Sequence, residues 1–410
     1  MKFAKVILTV AFVTMMLSGV SYAQDEAISS GTGRYEALGS SPFIWDAATD
    51  INNNPAWASQ YKHYLFGDIG RDVVNNYELT DQYLGVNFGI GKQISLGAVL
   101  NKREDRWNEF GNPYGIQSPI VPMKILFAVS GENFSFGVAP YMALWSSENK
   151  PAGQGDTTYN SSSIGGQLGF IWNVEKLSFI EGAFDMKINS YKKEVTNVTT
   201  PFKGNNEGGL QFAANFRGKF NVQKQYGINL VPYIGFSTYS WNPTESPLPT
   251  PTTVFTKYSN FNIQGGIGIN MPVLDNGLFG GGVSAGYRTF TGDNWQVPND
   301  EYKYTALTLP KFNLGLEWKF VDWLVGRLGY SRAMISTDNK YTNGNLTDET
   351  SLTVATDPIQ TINLGIGMQF GRFSLDGTIG EKMLKNSPYL ISGQNNDLYG
   401  VISASYNFRK

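Results

Sequence analysis

Residues 83–100 read Tyr83-Leu84-Gly85-Val86-Asn87-Phe88-Gly89-Ile90, then Gly91-Lys92-Gln93, then Ile94-Ser95-Leu96-Gly97-Ala98-Val99-Leu100. Leu84, Val86, Phe88 and Ile90 alternate with Tyr83, Gly85, Asn87 and Gly89, and Ile94, Leu96, Ala98 and Leu100 repeat the pattern after the turn. Successive side chains of a strand point to opposite faces, so this stretch is a hairpin with one apolar face.

The unit of strand, short turn, strand and long polar segment recurs along the chain. Short turns fall near Gly91, Gly131, Asn173, Val222, Asp275, Asp322 and Gly371. Each joins runs of roughly 9 to 14 residues, the length a tilted strand needs to cross a bilayer. Seven hairpins supply fourteen strands, and single strands at residues 61–70 and 397–408 bring the count to sixteen. Bacterial single-chain barrels close on an even number, with short turns on the periplasmic side and long loops outside. Segments 241–258 and 337–358, rich in Asn, Asp, Thr, Ser and Pro, read as such loops. The expected fold is all-β, a transmembrane antiparallel barrel over residues 61–410. Fourteen strands is the alternative, reached if one strand pair is split too finely.

One hairpin fixes a register. If Phe312, Leu314, Leu316, Trp318 and Phe320 face lipid, together with Leu324, Leu328 and Tyr330, a three-residue turn over residues 321–323 sets Phe320 opposite Leu324. Glu317 then opposes Arg327 as a lumen charge pair. A plain two-residue turn would put Arg327 on lipid, at up to roughly 2 to 4 kcal/mol near mid-bilayer.

The first residues carry Lys2 and Lys5, an apolar run from Val6 to Leu17, and small residues Ser21 and Ala23. This is the pattern of a signal peptide, 1–23, cleaved after Ala23. A run of about a dozen apolar residues is shorter than the roughly 20 a spanning helix needs. The expected destination is the bacterial outer membrane.

Composition agrees. Glycine at 46, tyrosine at 22 and phenylalanine at 26 accompany a mean hydropathy of −0.24, which suits strands apolar only at every second position and flanked by aromatic girdles. A net charge of −2 gives no basis for nucleic-acid binding. The absence of cysteine excludes disulfides, thiolate metal sites and cysteine catalysis. His63, the single histidine, stands near the periplasmic end of the first strand without a nucleophile motif, so no enzyme is expected. Asp338, Asn339, Asn343, Asn345 and Asp348 lack the spacing of a dedicated calcium loop, and neither metal nor cofactor is expected.

Residues 24–60 do not alternate. They hold Gly31, Gly33, Gly39, Pro42 and Pro55, and the large apolar groups Phe43, Ile44, Trp45 and Trp57. Irregular backbone cannot face hydrocarbon, where each unpaired polar group costs several kcal/mol. The segment therefore lies in the periplasm or inside the barrel, and burial of its aromatic groups favours the lumen. Phe43, Ile44, Trp45 and Trp57 then serve as plug packing or as contacts to a lipophilic ligand.

Within this segment, Gly33-Arg34-Tyr35-Glu36-Ala37-Leu38-Gly39, Asp46 to Asp50, and Asn54-Pro55-Ala56 resemble the N-terminal pattern of the FadL/TodX transporters, which move long-chain fatty acids and aromatic hydrocarbons. The resemblance is specific over roughly residues 33–101 and architectural beyond. It implies a hatch folded inside the barrel, with Asn54, Pro55 and Ala56 as its motif. Trp57 stands where that family usually has glycine, and the family's barrel has fourteen strands. A turn leading the chain into the sheet is the plainer reading of Asn54-Pro55-Ala56.

The expected function is passive, hatch-gated uptake of a hydrophobic small molecule. The expected partners are outer-membrane lipid, that cargo, and the barrel assembly machinery, which reads aromatic terminal strands such as the one ending Tyr406-Asn407-Phe408. A polar-solute porin is one alternative, although its constriction would need opposed rows of charge that are sparse here. A structural or secretion-associated scaffold is the other.

Overall fold

The computed structural model describes residues 31–69, 82–101, 119, 121–150, 155–175, 177–196, 202–206, 209–246, 257–294, 300–343, 346–352, 359–379 and 399–408. The signal peptide expected over residues 1–23 lies outside the described residues, as do residues 24–30.

Nineteen strands form one antiparallel sheet. In chain order these are β1 Tyr64–Ile69, β2 Tyr83–Ile90, β3 Ile94–Leu100, β4 Val121–Ser130, β5 Phe134–Asn149, β6 Asp156–Glu175, β7 Ser178–Thr196, β8 Phe202–Asn206, β9 Leu210–Gln223 and β10 Ile228–Trp241. There follow β11 Pro243–Ser246, β12 Lys257–Val273, β13 Gly277–Asn294, β14 Asp300–Val321, β15 Leu324–Asn343, β16 Leu346–Leu352, β17 Ile359–Phe370, β18 Phe373–Ile379 and β19 Tyr399–Asn407. Three wall strands are each interrupted once. β8 and β9 both pair with β7, β11 and β10 pair with β8 and β9, and β16 and β17 both pair with β15. The wall therefore has sixteen strands, and it closes where Tyr64 of β1 pairs with Asn407 of β19 on one side and with Asn87 of β2 on the other.

The faces are reversed relative to a water-soluble barrel. Leu84, Phe88, Leu96, Ile125, Ile164 and Leu328 are exposed outward, while Asn87, Ser95, Asn189, Asn313, Arg327 and Ser403 are buried inward. Period-two alternation makes this a direct consequence of sequence: one face of each strand is apolar for lipid, the other small or polar.

The strands run further than the alternating pattern suggests. β14 is 22 residues long, roughly 70 Å along its own axis, well past an apolar band about 25 Å tall even when tilted. The segments read as outer loops are correspondingly shorter, since strand pairing continues to Ser246 and joins residues 337–343 to residues 346–352. Polar Thr, Asn and Asp residues mark the departure from the membrane there and not the end of the sheet. The turns expected near Asn173 and Val222 sit slightly later, because β6 runs to Glu175 and β9 to Gln223.

The β14–β15 hairpin corrects one detail of the expected register. Glu317 does oppose Arg327 and Leu316 opposes Leu328, but Val321, not Phe320, opposes Leu324. The turn has two residues, Asp322 and Trp323, and a bulge between Lys319 and Val321 absorbs Phe320. One extra residue on one strand flips the parity once, which returns Arg327 to the lumen despite the shorter turn. Phe320, displaced from the ladder, is 63% exposed on the outside.

Before β1 the chain forms two short helices, α1 Thr32–Ala37 and α2 Ala47–Asn53, and a 3-10 turn Pro55–Ser59. Asp46 caps α2 by accepting from Thr49 N at 3.0 Å, and Asn54 caps the 3-10 turn by accepting from Ala56 N at 3.1 Å with Pro55 in the first position. The molecule's main apolar cluster is formed between this segment and the inward faces of β1 to β6, and includes Ala48, Ile51, Ala56, Trp57, Phe66, Val99, Leu126 and Ile171.

Candidate functional site

The N-terminal segment touches inward-facing positions all the way round the wall. Phe43 is fully buried, edge-on to Tyr233 of β10 at 5.6 Å, and packs where Gly268 and Gly282 leave the wall without side chains. Ile44 occupies the corresponding space at Gly280 and Gly315. At two places the approach is backbone to backbone. A side chain on Gly329 of β15 would run into the main chain of Ala37 to Gly39, and one on Gly137 of β5 into that of Pro55 and Ala56. Only glycine permits contact this close.

An irregular chain in a lumen must still satisfy its carbonyls. Wall asparagines do this: Asn87 Nδ2 donates to Ala58 O and Tyr61 O at 2.6 and 2.7 Å, Asn270 to Phe43 O at 3.1 Å, Asn313 to Gly39 O at 3.0 Å, and Asn363 to Glu36 O at 2.8 Å. Lys124 Nζ of β4 adds a bond to Asn52 O at 2.9 Å.

Charged networks fix the two helices. Arg34 of α1 donates to both oxygens of Glu317, Nε to Oε2 at 2.9 Å and Nη2 to Oε1 at 3.2 Å, and also reaches Asp46 at 3.3 Å. Glu317 in turn meets Arg327 at 2.6 Å, and Arg327 meets Asp376 of β18 at 2.5 Å. The lumen pair Glu317 and Arg327 is thus a relay from the wall to α1. On the far side, Arg217 of β9 pairs with Asp50 of α2 at 2.7 Å and with Glu181 of β7 at 2.5 Å.

Glu181 gathers four donors. It accepts from Trp45 Nε1 at 3.3 Å, Asn54 Nδ2 at 3.1 Å, Arg217 Nε and Trp57 Nε1. A carboxylate has about four acceptor sites, and here all have partners. Asn54, Trp45 and Trp57 therefore meet at one side chain. Pro55 and Ala56 lie beside them against Gly137, while Phe43 and Ile44 dock on β10 and β12 to β14 instead. Trp45 and Trp57 each lie edge-on to Phe179 at 5.5 Å, and Arg217 sits 4.4 Å from the centre of the Trp45 ring.

Burial acts on the acids of the segment. It raises the Asp50 carboxyl to about 7 in spite of Arg217, which pulls the other way, and it raises Asp46 against the opposing effect of Arg34.

Sequence reasoning missed Glu181, Arg217, Asp376 and the asparagine donors. Their signal was present: asparagine and charged residues are disfavoured in strands, and each of these stands on the inward parity of an otherwise alternating run. His63 has a positive φ of 58° just before β1, where its carbonyl accepts from Phe408 N at 2.6 Å.

The closed wall, its apolar outer face and its polar inner face define a transmembrane β-barrel of the outer-membrane type. No protein-family profile matches the chain, and no curated protein matches it in sequence. Among solved structures it is similar to the CymD monoaromatic hydrocarbon channel, at 10% identity and a TM-score of 0.40, over 93% of this chain and 98% of that one. It is similar also to the Pseudomonas putida toluene transporter TodX (11% identity, TM-score 0.41, 93% and 99% covered) and to a Pseudomonas aeruginosa FadL homologue (12%, 0.40, 93% and 99%). At such identities and scores these likenesses carry no argument about cargo.

Proposed function

We propose that this barrel is a passive outer-membrane channel for hydrophobic small molecules, with residues 24–60 as a hatch that must shift for cargo to pass. Residues 1–23 are its export signal, and β19, with Phe408 directly after it, its recognition element for barrel assembly. The observation that carries this reading is the seating of residues 31–61 across the lumen through hydrogen bonds and ion pairs to the wall. Such bonds are individually worth about 0.5 to 3 kcal/mol.

The hydrophobic cargo class rests on the resemblance of residues 33–101 to transporters of fatty acids and aromatic hydrocarbons, and on the aromatic groups Trp45, Trp57 and Phe179 beside the Asn54-Pro55-Ala56 motif. Binding there would come mainly from apolar burial, at about 25 cal/mol per Å². Flux into proteoliposomes tests it: a lipophilic aromatic probe should enter faster than through empty liposomes while a free sugar should not, and equal entry of both would indicate a polar-solute porin.

The close packing of Phe43, Ile44 and Gly329 favours a second reading, a sealed barrel acting as a scaffold. Entry of neither solute would support that one.

A further inference from the structure

On β5, β6 and β7 the outward-facing positions change character at one level. Met142 and Leu144, Leu168 and Ile164, and Met186 and Ile188 are exposed apolar side chains. The next outward positions, on the side away from the short turns, are Ser146, Ser162, Asn160, Ser190 and Lys192. The register sets them side by side: Leu144 with Ser162, Ser146 with Asn160, Ser162 with Ser190, and Asn160 with Lys192. This step is the upper edge of the apolar belt, the level of outer-leaflet headgroups.

A cavity of about 430 Å³ lies there, and its lining includes Leu144, Ser146, Asn160, Ser162, Ser190 and Lys192. The side chains of the intervening Ser161 and Tyr191 are buried, so the cavity opens on the outer surface of the wall. Its size is in the range of small-ligand sites, roughly 300 to 1,000 Å³.

The lining has a definite chemistry. Ser162 and Ser190 hydroxyls lie 2.6 Å apart, and with Asn160 and Ser146 they supply donors and acceptors suited to sugar hydroxyls. Lys192 meets Glu194 at 2.9 Å, and Lys203 approaches the same carboxylate at 3.8 Å, so ammonium groups border the groove at its polar end. An ammonium group at headgroup level suits phosphate, and Leu144 borders the acyl-chain region below. We propose that this groove binds the phosphorylated sugar headgroup of an outer-leaflet glycolipid, independently of what the lumen carries.

The test uses the full barrel in nanodiscs containing either diphosphoryl lipid A or phosphatidylglycerol in a phosphatidylcholine background, with lipid retention read by native mass spectrometry. Wild type should retain lipid A and not phosphatidylglycerol. Lys192→Ala, and Ser162→Leu, which fills the groove, should each lower retention roughly tenfold. Lys150→Ala, an exposed charge outside the lining, should retain lipid A as wild type does. All variants are surface changes, and an unchanged heat-modifiable gel shift reports the folded barrel. Equal retention by wild type and Lys192→Ala would overturn the proposal, as would a Lys192-dependent retention of phosphatidylglycerol equal to that of lipid A.

Discussion

Asn54 Nδ2 donates to Glu181 Oε2 at 3.1 Å, which ties the Asn-Pro-Ala motif ahead of the first strand to the inner wall at β7. The same carboxylate holds Trp45, Trp57 and Arg217, so one wall residue secures both helix α2 and the turn after it. These polar anchors act beside the apolar contacts of Ile51, Ala56, Phe43 and Ile44 with the wall, while closure of the wall is made by the pairing of β1 with β19 and β2.

Glu181→Ala should therefore loosen residues 31–61 selectively. Removing one partner of a buried charge cluster costs roughly 2 to 5 kcal/mol because the groups left behind lose their compensation. Trypsin cleavage at Arg34 in the folded barrel should become faster by at least about tenfold. Cleavage as slow as in wild type would show that Glu181 is not a principal anchor.

The bulge at Phe320 makes a directional prediction. The chain has no cysteine, so introduced cysteines report alone. Leu316→Cys and Leu328→Cys, register partners on the outer face, should react with a membrane-confined lipophilic maleimide, and Asn313→Cys should not. Labelling of Asn313→Cys in place of the other two would reverse the assigned faces.

Close approach at Gly329 should be costly to disturb. Gly329→Ala places a methyl group against the main chain of residues 37–39, and overpacking of this kind costs roughly 1 to 3 kcal/mol. Gly286→Ala, whose added carbon meets neighbours only at ordinary contact distances of 3.6 Å and beyond, is the matched control. Urea titration followed by tryptophan fluorescence should show a lower midpoint for the first and not for the second.

The Asp50 carboxyl gives a pH dependence. Burial raises it to about 7, with Arg217 opposing and Glu181 and Asp46 reinforcing the rise. The folded state thus holds a proton that the unfolded chain, with an ordinary carboxyl near 3.8, has already released. Stability of the segment should fall as pH rises from about 4 to 7, by at most roughly 1.4 kcal/mol per unit, and then level off. Asp50→Asn should flatten this slope in the same fluorescence titration. A slope unchanged in the variant would assign the dependence to another group.

The wall was legible in sequence because lipid imposes a strict rule: every second residue of a strand must be apolar, and Leu84 to Leu100 obeys it visibly. The closing strands, residues 61–70 and 397–408, followed from the even strand number; the register of Tyr64 with Asn407 comes from the fold. Strand ends were harder to read, since above the membrane both faces of β15 meet water and residues such as Asp338 and Asn339 pair as strand while looking like loop. The two-residue turn at Asp322 and Trp323 was missed because a bulge leaves no pattern except a parity slip. Trp45, Trp57 and Asn54 were singled out from the segment itself, but Glu181 is 124 residues beyond Trp57, and only the closed barrel brings the two together.

We propose that residues 40–57 obstruct the lumen and gate it. The most direct test is solute flux through proteoliposomes bearing wild type or a chain lacking residues 40–57, using a lipophilic aromatic probe and a free sugar in parallel. Wild type should admit the probe and exclude the sugar, and the deletion should admit both, the probe faster than through wild type, with the folded barrel confirmed by heat-modifiable gel mobility. Sugar exclusion that survives the deletion, or probe entry identical with and without these residues, would contradict it.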